Sequence, residues 1–166
     1  MVRNAHGVVS FAPFFIHQFN FLQPHFLNDA EKFNSVCADT SILITTADKL
    51  RYHRHRKGLF QRDVADAIGI DRTNYSAYES ELRDYYPPDV LQRIATLFEI
   101  DISDLLDEYN TFLHNGQGWQ LKALRSSMNL SQRAFAVHFG ITIHQTKAWE
   151  QDRIRMTKRF WEQIFK

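Results

Sequence analysis

An internal repeat constrains this chain more than any other feature. Residues 59–79 read LFQRDVADAIGIDRTNYSAYE, and residues 130–150 read LSQRAFAVHFGITIHQTKAWE. At this offset of 71 positions, identical residues recur from Leu59 and Leu130 through to Glu79 and Glu150. A long match at one fixed offset indicates that the two copies share one fold.

Each copy has the pattern of two short helices joined by a tight turn. A glycine stands at the turn, where a positive φ is needed and glycine adopts it without strain. An alanine four residues earlier allows the helices to approach closely, and the isoleucine after the glycine fills the space beneath the turn. These pairs are Gly69 and Gly140, Ala65 and Ala136, and Ile70 and Ile141.

Capping residues and apolar stripes predict helices on both sides of each turn. In the first copy the predicted helices are 47–57 after Thr46, 61–68, 72–81 after Asp71, 89–98, and 104–113 after Ser103. In the second they are 119–127, 132–139, 143–151 and 158–165. The predicted fold is therefore all-α, with a leader (1–45), a five-helix domain (46–114), a linker (115–118) and a four-helix domain (119–166) that lacks a fifth helix.

The leader is unusual because it holds seven of the 14 phenylalanines. Their spacing follows neither the helical nor the strand period. We interpret residues 1–45 as an irregular, poorly ordered leader. A partner-binding or dimer arm is one alternative, and translation from a downstream start codon is another.

Charge is distributed unevenly along the chain. The net charge is +1, but residues 46–114 carry −4 and residues 115–166 carry +6. A single cysteine, Cys37, excludes an internal disulfide and favours a cytoplasmic protein. We expect no membrane segment, no metal, no cofactor and no enzymatic activity, because no apolar run, ligand cluster or catalytic constellation stands out.

The two copies resemble the λ-repressor and Cro type of helix-turn-helix, the Xre family. The first copy carries the resemblance in Gly-Leu-Phe-Gln, Val-Ala, Gly-Ile-Asp and Tyr-Ser-Ala-Tyr-Glu, and the second in Leu-Ser-Gln, Phe-Ala, Phe-Gly-Ile-Thr and Trp-Glu. The resemblance spans about residues 46–166. It implies two tandem domains that bind double-stranded DNA in a bacterial or phage-type transcriptional regulator, most often a repressor.

The resemblance also implies a role for individual positions. The recognition helices 72–81 and 143–151 would enter the major groove. Their base-facing residues would be Arg72, Thr73, Asn74, Ser76 and Ala77 in the first copy, and Ile143, His144, Gln145, Lys147 and Ala148 in the second. Phosphate contacts would come from Gln61, Arg62, Gln132 and Arg133. Structural ion pairs would join Arg54 to Glu79 and Arg125 to Glu150.

Some positions depart from the family pattern. Phe60 replaces the usual Ser or Thr cap, which should weaken that helix start by about 1 kcal/mol. Glu81 adds a negative charge near the expected DNA face, so the alternative function is a protein-interaction or antitoxin-like module in which one unit no longer contacts DNA. Tyr109, Phe112 and Leu113 form a stripe that would suit a homodimer interface.

Overall fold

The computed structural model describes residues 43–166, and this range contains nine α-helices, one 3₁₀ turn and no strand. The helices are α1 (Thr46–Arg56), α2 (Gln61–Ile68), α3 (Arg72–Glu79), α4 (Pro88–Phe98), α5 (Glu108–His114), α6 (Gln117–Ser127), α7 (Gln132–His138), α8 (Ile143–Glu150) and α9 (Lys158–Phe165). The 3₁₀ turn spans Ile102–Asp104. The all-α prediction is confirmed, and our interpretations of residues 1–42 lie outside the described range.

The cap of α1 differs from the prediction by one residue. The Thr45 hydroxyl accepts a hydrogen bond from the Asp48 N–H at 3.1 Å, and the Asp48 carboxylate accepts one from the Thr45 N–H at 3.3 Å. Thr46 is instead fully buried, and its hydroxyl accepts from the Asp107 N–H at 3.1 Å. The reciprocal bonding of a capping box favours Thr45, since two free N–H groups are satisfied together.

The other capped starts follow the same physical logic. Phe60 offers no side-chain acceptor to α2, as expected, but the Asp63 carboxylate accepts from the Phe60 N–H at 2.8 Å. The Asp71 carboxylate accepts from the Thr73 N–H at 2.6 Å and caps α3. In the second copy, α6 begins at Gln117 rather than Trp119, so only two of the predicted linker residues, Asn115 and Gly116, connect it to α5.

The fifth helix starts later than the sequence predicted. The Asp101 carboxylate accepts from the Ser103 N–H at 2.8 Å, which forms the 3₁₀ turn where a helix capped by Ser103 was expected. Leu105 and Leu106 follow the 3₁₀ turn and are buried in the first core. Helix α5 begins only after Asp107, whose carboxylate caps it by accepting from the Asn110 N–H at 2.7 Å.

Two hydrophobic cores organise these helices. The first joins α1–α4 and the 3₁₀ turn, and its most buried members include Leu50, Val64, Tyr75, Leu91, Ile94 and Phe98. The second joins α5–α9, and includes Tyr109, Phe112, Leu121, Phe135, Trp149 and Trp161. We call α1–α4 with the 3₁₀ turn the first unit and α5–α9 the second unit. No helix within residues 43–166 is long and apolar enough to cross a membrane.

Helix α5 follows the first unit directly along the chain, but its apolar residues pack into the core of the second unit. The apolar stripe on α5 packs inside the chain, with the Phe112 and Phe165 rings 4.8 Å apart and the Tyr109 and Trp161 rings 5.7 Å apart. It is therefore covered by α9 rather than exposed for a second copy. The second core, for which the sequence predicted four helices, thus includes a fifth, α5.

The two turns have the geometry that the repeat predicts. Gly69 has φ 70° and Gly140 has φ 63°. The next residue closes each turn, because the Ile70 N–H donates to Ala65 O at 3.0 Å and the Ile141 N–H donates to Ala136 O at 2.9 Å. Ala65 and Ala136 are buried, as the predicted close approach of the helices requires.

Gly118 should be intolerant of any side chain. A Cβ added there would lie 2.7 Å from Glu150 O and 2.6 Å from the Asp152 carboxylate. We expect Gly118→Ala to lower the free energy of unfolding by about 1–3 kcal/mol, because the backbone carbonyl cannot move away freely. Urea unfolding followed by circular dichroism measures this, and the exposed Ser126→Ala on the same helix should change stability by less than about 0.5 kcal/mol. Equal stability of the two variants would contradict the close approach.

Candidate nucleic-acid interface

Helix α3 separates a polar outer face from a buried inner one. Arg72, Thr73 and Asn74 are exposed, and Ser76 and Ala77 are half-buried beside them. The opposite side is buried through Tyr75, Tyr78 and Glu79. Hydrogen bonding from Thr73 lowers the pKa of the Asp71 carboxyl at the helix start, so this cap is ionised and able to hold the first turn. The predicted base-facing residues of the first unit thus share one accessible surface.

Helix α8 presents the equivalent surface in the second unit. His144 and Lys147 are exposed, and Ile143, Gln145 and Ala148 are half-buried. The inner side is closed by Thr146 and Trp149, which are buried.

Gln145 takes part in the N-terminal cap of α8, a role that the sequence interpretation missed. Its Oε1 accepts from the Thr142 N–H at 2.9 Å and from the Thr142 hydroxyl at 3.0 Å, which completes a capping box. A paired contact with adenine uses both the oxygen and the nitrogen of an amide. Because the oxygen is already engaged, only the nitrogen is readily available to a base. The glutamine three residues after the threonine was the sequence signal for this cap.

A buried ion pair anchors the end of α3 to the end of α1. Arg54 Nε lies 2.6 Å from Glu79 Oε1, and Nη2 lies 2.9 Å from Oε2. The Arg54 Nη1 group also donates to Leu59 O at 2.9 Å. Gln61 adds a third member, since its amide nitrogen donates to Glu79 Oε2 at 2.8 Å. The network therefore joins α1, the start of α2 and α3.

The second unit contains the same network at the repeat offset. Arg125 Nε lies 2.5 Å from Glu150 Oε1, and its Nη1 donates to Leu130 O at 2.8 Å. Gln132 donates to Glu150 Oε2 at 2.7 Å. Burial alone would raise the pKa of the Glu150 carboxyl, but the hydrogen bonds from Arg125 and Gln132 outweigh it and hold that pKa below its usual value. Both glutamines, expected at phosphates, thus already use one amide proton internally, and their phosphate role stays a prediction.

Cations are distributed differently in the two units. Several cations of the first unit have acidic partners, as in the pairs Arg51–Asp48, Lys57–Glu99 and Arg93–Asp89. Six exposed cations of the second unit form no ion pair with any described residue, against four of the first unit (Arg56, Arg62, Arg72 and Arg83). The six are Lys122, Arg133, Lys147, Arg153, Arg155 and Arg159. The second unit therefore offers more uncompensated positive charge to a polyanion.

Histidines are the remaining polar side chains that could bind a metal. Within residues 43–166 no three His, Cys, Asp or Glu side chains lie close enough to hold a metal ion. His53 stacks instead on Phe98 with ring centroids 6.1 Å apart. Burial, together with the nearby Arg56 charge, lowers the pKa of His53 and keeps the ring neutral at pH 7.

Removing one charged partner of the first network should lower the free energy of unfolding more than removing both. Glu79→Ala strands the buried Arg54 charge, and we expect it to lower the free energy of unfolding by about 3–5 kcal/mol. Arg54→Met combined with Glu79→Leu should cost less than the single change, since no buried charge remains unpaired. Urea unfolding of the three proteins measures the difference. A double variant less stable than Glu79→Ala would contradict this account.

The second network should make stability depend on pH in acid. A carboxyl whose pKa is depressed by folding stabilises the native state above its unfolded pKa, and this contribution is lost as pH falls through the folded pKa. The ordinary value for Glu150 is 4.5. We therefore expect Glu150→Gln to be less stable than the wild type at pH 7, and the gap to narrow below about pH 4.5. Urea unfolding from pH 7 to pH 3 measures the gap, and a gap that stays constant would exclude this contribution.

Comparison with known proteins supports one part of the chain directly. Residues 47–111 match the family described as "Helix-turn-helix domain". No curated protein and no solved structure matches the chain. The match covers α1–α4 and the start of α5, so a helix-turn-helix domain is established for the first unit, and such a domain suggests DNA binding.

Proposed function

We propose that this chain is an Xre-type transcriptional regulator that acts as a repressor, and that its two tandem helix-turn-helix domains bind double-stranded DNA. The observation that carries the proposal is the recurrence of one anchored arrangement. In each unit an Arg–Glu–Gln network fixes the inner side of a short helix, and the outer side of that helix is left accessible. A rigid helix with an accessible polar face is what major-groove recognition needs. We call α3 and α8 the reading helices, and their outer sides the reading faces.

The first unit has the better side chains for reading bases. Arg72 is exposed at the first turn of α3, where its guanidinium can bond both O6 and N7 of guanine. Asn74 is also exposed and has the donor and acceptor that adenine requires. Each such contact is worth about 1–3 kcal/mol of discrimination between bases.

The second unit is better suited to attracting the phosphate backbone. Arg133 and Lys147 are exposed and form no ion pair with a described residue. Ile143 is half-buried on the reading side and offers only an apolar contact, such as a thymine methyl group. We therefore assign most of the non-specific attraction to the second unit and most of the base discrimination to the first.

Charge reversal tests both assignments. We expect Lys147→Glu to weaken binding to all duplexes, because it removes a phosphate contact and adds repulsion. Arg72→Glu should weaken binding chiefly to the duplexes that the wild type selects from a random pool. Fluorescence anisotropy across a salt series measures both effects, and the logarithm of wild-type affinity should fall linearly with that of salt concentration.

Arg159→Glu is the matched control, since Arg159 is exposed on α9 outside both reading helices. It changes the net charge by the same amount as the test variants. An equal loss of binding in all three variants would show that only global charge matters. Failure of the wild type to bind any duplex at low salt would refute the proposal.

One surface favours a second function for the first unit, the binding of a protein partner. Leu82 lies three residues after the end of α3 and is 92% exposed, next to the exposed Glu81. A large apolar side chain beside a carboxylate suits a protein surface better than a phosphate backbone. Retention of a co-purified protein by Arg72→Glu, combined with its loss in Leu82→Ser, would favour this alternative over DNA binding.

A further inference from the structure

The loops that follow the two reading helices contact each other. The Arg155 guanidinium lies 3.6 Å from the centroid of the Tyr85 ring. Lys158 Nζ lies 3.8 Å from the Asp84 carboxylate. Arg155 and Lys158 follow α8, whereas Asp84 and Tyr85 follow α3. The two units therefore meet through the segments 84–85 and 155–158.

These segments correspond to each other in the repeat. After α3 and α8 the offset shortens to 70, because α4 begins at Pro88 and α9 begins at Lys158. Arg155 therefore corresponds to Tyr85, and Lys158, the first residue of α9, corresponds to Pro88. The contact between the Arg155 guanidinium and the Tyr85 ring thus joins one position of the first copy to the same position of the second. A surface that meets its own counterpart is the property of a two-fold relation, whereas simple translation along the chain brings different surfaces together.

Further contacts make this junction rigid. The Tyr109 hydroxyl donates to Met156 O at 2.5 Å, and Tyr109 is 2% exposed. The Asn110 amide nitrogen donates to Asp84 O at 3.0 Å, so α5 is bonded to both trailing segments. Lys166 pairs with Glu108 at 2.7 Å at the far end of α9. Within residues 43–166 a helix equivalent to α5 is present in one unit only, so the two-fold relation is approximate.

The reading faces lie away from this junction. The cleft between the units is lined by residues that include Tyr85, Tyr86, Asn110, Gln117, Asp152 and Arg155. None of the exposed reading residues of α3 or α8 lines it. Both reading faces therefore stay accessible while the angle and distance between them are fixed.

We propose that one chain is an intramolecular pseudo-dimer that binds a single duplex carrying two half-sites in inverted orientation at one fixed spacing. This inference rests on the proposed DNA binding. Operator symmetry mirrors the symmetry of the protein, and half-sites read from one side of the duplex lie about one helical turn, or about 34 Å, apart. Because the reading residues of α3 and α8 differ, the two half-sites differ in sequence.

The first test is in vitro selection with the full-length chain and a pool of random duplexes. The expected product is a motif with two dissimilar, inverted half-sites at one spacing, occupied by one chain in a titration at stoichiometric concentration. Enrichment of a direct repeat, of a single half-site, or of a site that needs two chains would overturn the inference while leaving DNA binding intact. Enrichment of no duplex would refute the proposed function itself.

The second test measures spacing with the selected duplex. Insertion of five base pairs, half a turn, should reduce wild-type affinity about tenfold or more, and insertion of ten should not restore it, because a rigid junction cannot stretch. Tyr85→Ala combined with Arg155→Ala should reduce both penalties to less than about threefold by loosening the junction. Both residues lie outside the helices, and circular dichroism verifies folding.

Arg159→Ala is the control for the loss of one surface cation, because Arg159 takes no part in the junction contacts described above. This variant should lose as much affinity as the wild type when base pairs are inserted. A double junction variant that also keeps the wild-type penalties would overturn the assignment of spacing to these contacts. Equal wild-type affinity for all spacings would show that the units move independently.

Discussion

The arginine–glutamate pair beneath each of α3 and α8, buried in the first unit and partly buried in the second, is the interaction on which the rest of the structure depends. Arg54 and Glu79 are 7% and 2% exposed at their side chains, so neither charge is solvated. A buried charge without its partner costs several kcal/mol, which makes the end of α1 and the end of α3 obligatory neighbours. Leu59 O and Gln61 join the same guanidinium and carboxylate, so the pair also positions the start of α2. One network thus sets the mutual geometry of three helices.

The Arg–Glu–Gln networks hold the inner sides of α3 and α8 and do not involve their outer sides. The outer sides differ between the two copies. Their Arg–Glu–Gln networks have the same partners at the repeat offset, but the outer face of α3 carries Arg72 and Asn74 where α8 carries Ile143 and Gln145. Caps also differ, because Phe60 leaves α2 without the hydroxyl that Ser131 supplies to α7 at 3.2 Å from the Ala134 N–H. Conserved interior chemistry and divergent surface chemistry suggest one scaffold carrying two unlike binding faces.

Local features of this fold could be predicted from the sequence, whereas long-range ones could not. The glycine turns and both ion pairs follow from residue types at a recurring spacing. The role of Gln61 was missed because its partner, Glu79, had been assigned only to Arg54. The packing of α5 was missed because an apolar stripe does not identify the surface that covers it. Gly118 gave no signal, since its close approach to Glu150 O depends on tertiary structure.

Helix α5 also changes the thermodynamics of pairing. Two separate subunits come apart on dilution, so the fraction able to bind a bipartite site falls at low concentration. Here the two units share a polypeptide and a buried helix, and their association is intramolecular at every concentration. Under the proposed function, occupancy of the target would follow a simple one-to-one binding curve as the amount of protein rises, without the threshold that subunit assembly imposes. Regulation by a few copies in a cell would then vary gradually with the number of copies.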